Sequence, residues 1–137
     1  MTFPTRLELQ IPSELEQVET VHQQVVAFIL GAGYPDEIFS RAELAIIEAL
    51  TNAIRHGNRE NPDQKVRILL QADETSLTCT VEDEGHGFVP EEIMNPLDPD
   101  QLLETGGRGV FLINEMADQV IFENSGRRVR MIFRNER

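Results

Sequence analysis

The sequence predicts an α+β sandwich of two layers, a mostly antiparallel sheet carrying its helices on one face. Three observations lead there. Apolar residues alternate with polar ones near both ends and in the middle of the chain, which marks strands. Stretches with a period near 3.6 lie between them, and short polar turns inside the strand pairs favour antiparallel neighbours. At 137 residues the chain suits one domain over residues 1–137 with a single core.

Each element has its own reason. Leu7, Leu9 and Ile11 share one side of a half-buried strand over residues 6–11, and Pro12 stops it. Ser13 and Glu16 have the spacing of a capping box, opening a helix through Val18, Val21, Val25, Phe28 and Ile29 to Gly31. A second helix is expected from about Pro35 or Asp36 to His56, with Gly57 and Asn58 placed as a left-handed C-cap. Its core arc is Ile46, Ile47, Ala49, Leu50, Ala53 and Ile54. Lys65 to Ala72 and Ser76 to Asp83 read as a hairpin around Asp73–Thr75. From Val89 to Arg108 no period is sustained and prolines stand at 90, 96 and 99, the signature of a functional or disordered loop. Gly109 to Ala117 reads as a helix, and Val120 to Glu123 with Arg128 to Arg134 as a terminal hairpin around Ser125-Gly126.

The net charge of −12 repels phosphate backbones and anionic lipid, so direct nucleic-acid and membrane partners are not expected. A protein partner or a small ligand is. The longest apolar run, Val25 to Gly33, is half the roughly 18 residues that span a bilayer, and the first ten residues lack the pattern of a signal peptide. A cytoplasmic protein is the expectation. The lone Cys79 falls on an inward strand face and reads as a small core residue.

The chemistry concentrates in three places. In "VEDEGHGF", Asp83 follows Leu77, Cys79 and Val81 on the inward face, where a carboxylate is costly to bury unless a donor meets it, and Gly85 and Gly87 come straight after. On the second helix, Glu48, Asn52 and His56 recur every four residues beside the apolar arc. Two readings of that stripe stay open: a solvated edge, or a Glu/Asn pair able to hold hydrated magnesium and to accept a proton from an attacking hydroxyl. The third place is "ETGGRGVFLI". There the bare backbone of Gly106, Gly107 and Gly109 opens a helix, as an anion site requires, and Arg108 is either a cation for a terminal phosphate or a solvated loop residue. No GxxxxGK exists, so a phosphate site would work through magnesium, backbone amides and arginine.

ExxxN (Glu48, Asn52), DxGxG (Asp83, Gly85, Gly87) and a GxG after a loop (Gly107, Gly109) in this order resemble the N, G1 and G2 boxes of the GHKL ATPases. That superfamily includes gyrase, the heat-shock chaperone ATPase, histidine kinases and the mismatch-repair ATPase. Within it, "EALTNAIRHGN" and "GGRGVFLI" are similar to the bacterial anti-sigma-factor serine kinases over nearly the whole chain. The resemblance implies a Bergerat-type ATP-binding fold. It also implies that Asp83 accepts a hydrogen bond from the adenine amino group, while Gly85 and Gly87 admit the nucleotide and start a mobile lid. By the same resemblance Asn52 coordinates Mg2+, Glu48 is the general base, and Gly107, Arg108 and Gly109 hold phosphate. The implied partners are an anti-anti-sigma-type protein substrate and a sigma factor, with a homodimer possible. One place departs from the family: its usual GTxV in the last hairpin is "GRRV" here, with Arg127 where the threonine would stand. Strand alternation turns Arg127 toward the core or the pocket, unless the hairpin opens early enough to release it to solvent. Two functions compete, an ATP-dependent serine-protein kinase and a GHKL-like binding module that regulates by contact alone. Glu48 favours the first and Arg127 the second.

Overall fold

The computed structural model describes residues 5–85 and 107–135, with the backbone alone at 107 and 108. The lid expected over residues 89–108 and Gly87 therefore lie almost wholly outside the described residues. Among the described residues five strands form one antiparallel sheet in the order β1-β2-β3-β5-β4. They are β1 (Thr5–Pro12), β2 (Lys65–Ala72), β3 (Ser76–Glu82), β4 (Gln119–Glu123) and β5 (Arg128–Arg134). Three α-helices among the described residues, α1 (Gln17–Gly31), α2 (Asp36–Asn52) and α3 (Gly107–Met116), complete the α+β architecture, with α2 packed between the other two. His22 of α1 meets Glu43 of α2 at 3.0 Å, and Arg41 of α2 donates to the Met116 carbonyl of α3 at 2.8 Å.

The strand alternation expected from the sequence holds. Leu70, Leu77, Cys79, Met131 and Phe133 are all fully buried, on the sheet face that meets Val25, Ile29, Ile46, Leu50 and Ile54 of the helical layer. Burial pushes the Cys79 thiol well above its ordinary range, in keeping with an inert core residue. The opposite face carries Thr78 and Thr80 with arginine–glutamate pairs: Arg67 with Glu8 at 3.2 Å, Arg128 with Glu82 at 3.2 Å, and Arg130 with Glu123 at 2.9 Å. The β2–β3 turn is built by one carboxylate. Asp73 Oδ1 accepts from the Thr75 N–H at 2.7 Å, the Thr75 hydroxyl at 2.8 Å and the Ser76 N–H at 2.9 Å, which holds its carboxyl below the usual range. Two other segments fasten the same turn. The Tyr34 hydroxyl donates to the Asp73 carbonyl at 2.7 Å, and the Asn135 N–H donates to the Thr75 carbonyl at 2.8 Å.

Local expectations fail at three points, each with a cause. Ser13 does not cap α1. Its hydroxyl is buried and donates to the Gln64 carbonyl at 2.7 Å, while α1 starts later, after Glu16, without a side-chain cap. Gly57 and Asn58 do not form a left-handed cap either. The second helix widens into a π turn over Ala53–Gly57, closed by the Asn58 N–H on the Ala53 carbonyl at 2.8 Å. Asn58 stays right-handed, and the chain reverses at Arg59 (φ 52°) and Glu60 (φ 58°), because the Asn58 side chain is held inside. Ile47, expected in the core arc, is only half-buried; Ala42 and Ala45 are buried instead, as α2 is flanked on both sides. Among the described residues no helix is long and apolar enough to cross a membrane.

Candidate functional site

Asp83 stands one residue beyond β3. Its N–H donates to the Arg127 carbonyl at 2.9 Å, extending the ladder with β5 by a step, so its side chain keeps to the inner face after Val81. It is only 9% exposed. Burial pushes its carboxyl up to about 6; the Gly85 N–H, donating to Oδ1 at 2.8 Å, and the Arg127 charge oppose the shift, and Glu82 adds to it.

The backbone around this carboxylate is bare for a steric reason. A Cβ on Gly57 would collide with the Asp83 carboxylate, and one on Gly85 would collide with the Gly57 carbonyl. Three segments thus close to backbone contact: the π turn, the end of β3 and the loop after it. Gly57 is a site residue that sequence reading missed, since a glycine ending a helix before an asparagine looks like a cap. Beside it lies a space of about 300 Å³ bordered by Gly57, Asn58, Asn61, Gln64, Glu84 and Gly85.

A second close approach joins α2 to α3. A Cβ on Gly109 would sit 2.5 Å from Asn52 Nδ2, so the Asn52 amide rests against the first turn of α3, whose N-terminal amides include those of Gly107 and Arg108. Glu48, one turn before Asn52 on the same stripe, is half-buried like Asn52 itself. His56 is exposed on the π turn and is not brought to Asp83; partial desolvation, then Arg55, hold its ring below the usual imidazole value. The Arg108 side chain and Gly87 lie outside what is described.

Arg127 resolves the one departure from the expected pattern. The β4–β5 hairpin opens early, through left-handed Asn124, Ser125 and Gly126, and places Arg127 exposed in the turn with its Nε donating to the Asn124 carbonyl at 3.0 Å. It does not enter the core.

Asp83 and Asn52 thus mark two ends of one short track. Gly57, against Asp83, is five residues along a continuous helix and π turn from Asn52, or about 7 Å of axial rise. One end offers a carboxylate acceptor suited to an exocyclic amino group. The other offers the Asn52 amide against the first turn of α3, a side chain able to lend an oxygen to a hydrated cation beside a helix N-terminus suited to an anion. Among the described residues no three His, Cys, Asp or Glu side chains converge as a metal site. Magnesium would therefore need ligand phosphates and water alongside Asn52, its ordinary habit in nucleotide sites.

Residues 11–133 match the family described as the histidine kinase-like ATPase domain. Serine-protein kinase RsbW of Staphylococcus aureus strain JH9 is 28% identical over 133 residues, covering 91% of this chain and 84% of the relative. The strain Newman protein of the same name shows the same figures. The crystal structure of the RsbU and RsbW domains of Rv1364c from Mycobacterium tuberculosis superposes with a TM-score of 0.62 at 14% identity, a likeness of fold. It covers 96% of this chain and 32% of that one, so this chain spans about a third of that protein's resolved length.

Proposed function

This chain belongs to the histidine kinase-like ATPase domain family, and from that premise we propose that it is an ATP- and magnesium-dependent serine-protein kinase that also serves as an anti-sigma factor, regulating transcription by partner switching. The observation that carries the reading is the buried Asp83 carboxylate, set against the bare backbone of Gly57 and Gly85. Asp83 receives the adenine amino group. Gly85 and Gly87 let the nucleotide lie against the backbone. Asn52 supplies an oxygen for magnesium, which when bound neutralises phosphate charge. Gly107, Arg108 and Gly109 take the phosphates at the N-terminus of α3. Glu48 accepts the proton of the partner's serine as its oxygen bonds to the terminal phosphorus and the bond to the bridging oxygen breaks, leaving phosphoserine and ADP.

The whole reading is a single cytoplasmic domain over 1–137 whose substrate is a small anti-anti-sigma-type protein. A sigma factor is the alternating partner, and a second copy of the chain a further one. The test is radiolabelled ATP with magnesium and a candidate partner, scored for phosphoserine. A protein that binds both ATP and its partner but never yields phosphoserine would instead be a regulatory switch. Arg127 no longer favours that alternative by filling the pocket, since it lies in the exposed turn.

A further inference from the structure

We propose that Asn58 is the positioning residue of the base-recognition end, fixing the Glu84–Gly85 backbone so that Asp83 faces its ligand in one orientation. The inference rests on the nucleotide-binding reading above and adds a residue that none of the three boxes contains.

Asn58 is 2% exposed, and every polar atom of its side chain is engaged. Its Nδ2 donates to the Ser13 hydroxyl at 2.8 Å and to the Lys65 carbonyl at 3.0 Å, and its Oδ1 accepts the Glu84 N–H at 2.8 Å. Its own N–H closes the π turn on Ala53. One buried amide therefore joins the β1–α1 connection, the start of β2, the end of the helical segment and the loop after Asp83. A hydrophobic side chain there would take this partner from three polar groups, one in a buried contact and two in part-buried ones, which is why the position is polar although enclosed.

The consequence reaches Asp83 through two bonds. Holding the Glu84 N–H sets the next peptide, whose Gly85 N–H donates to Asp83 Oδ1 at 2.8 Å. The Lys65 N–H donates to Glu84 Oε1 at 2.7 Å and fastens the same residue from the other side. Gly57, immediately before Asn58, is the backbone against which the carboxylate rests. Released from Asn58, the loop would lose the register that keeps Gly85 under the Gly57 carbonyl, and the carboxylate would lose its direction.

The experiment compares ATP with inosine triphosphate, which carries a carbonyl where adenine carries the amino group, by calorimetry on the full chain. The parent should prefer ATP. Asn58→Ala should lose about tenfold or more of that preference, the effect of one misdirected hydrogen bond. Ser13→Ala severs the other end of the junction but leaves the Asn58–Glu84 bond, so it should lower thermal stability while keeping the preference within about twofold. A folded Asn58→Ala protein that discriminates as the parent does overturns the inference. A parent indifferent to the two nucleotides overturns the reading of Asp83 itself, and this inference with it. Should Asn58→Ala fail to fold, amide exchange in the parent decides: a protected Glu84 N–H supports the role, and one exchanging as fast as an open loop removes it.

Discussion

At the scale of single residues, Asp83 carries opposite demands from folding and from binding. Its folded carboxyl titrates near 6 against an ordinary 3.8, so between those values the folded protein holds a proton that the unfolded chain has released. Stability from this group is then full below about pH 4 and is lost as pH rises through 6. Asp83→Asn should accordingly raise the melting temperature at pH 7.5 relative to the parent, with the gain shrinking at pH 4.5, while ATP affinity falls about tenfold or more. Melts at the two pH values check the first half, and an equal gain at both would mean that the carboxylate is not penalised by burial. Glu48 and Asn52 separate by chemistry. Glu48→Gln should leave ATP binding near the parental level and slow phosphoserine formation by roughly a hundred- to ten-thousandfold. Asn52→Ala should weaken magnesium–ATP binding and abolish transfer together. Single-turnover assays beside calorimetry distinguish the two, and a Glu48→Gln protein phosphorylating at the parental rate removes the base.

At the scale of elements, the site is made where segments touch without side chains between them. Gly57→Ala drives a methyl group into the Asp83 carboxylate, and Gly109→Ala drives one into the Asn52 amide. Each should cost about 1–3 kcal/mol of stability as an overpacked contact. They should differ in binding: the first weakens ATP with or without magnesium, the second mainly the magnesium-dependent part, as titrations with and without chelator would show. The elements themselves were legible in the sequence, because alternation and the 3.6-residue period report which face is buried. Asp83 was legible for the same reason, as the acid that continues an apolar strand face. What escaped were the joints. Ser13 and Glu16 have the spacing of a cap, and Gly57-Asn58 the look of a helix stop, but both asparagine and serine were claimed by partners 45 residues apart in sequence. Local propensity cannot see such a partner. The sequence leaves Arg127 open between pocket and solvent because it stands one residue before β5, where strand alternation gives way to a turn of left-handed residues.

At the scale of the whole molecule, the sheet has one face committed to the core and one to water. Phe133→Ala, on the committed face, should cost about 3–5 kcal/mol, much of what a small domain has to lose. Thr80→Ala, on the open face, should stay within about 0.5 kcal/mol, and denaturant titrations would show the contrast. The sheet is gripped at both ends of β3. Tyr34, Asn135 and the Asp73 carboxylate hold the β2–β3 turn, and Asn58 holds the loop beyond Asp83 at the far end. Mechanically this is a beam pinned at both ends, with a span of about 23 Å over the seven residues of β3. A grip released at one end is then carried by the other. Tyr34→Phe, which deletes one hydroxyl at the turn, should therefore cost about 0.5–1.5 kcal/mol of stability while leaving ATP affinity near the parental value, as denaturant titrations beside calorimetry would show.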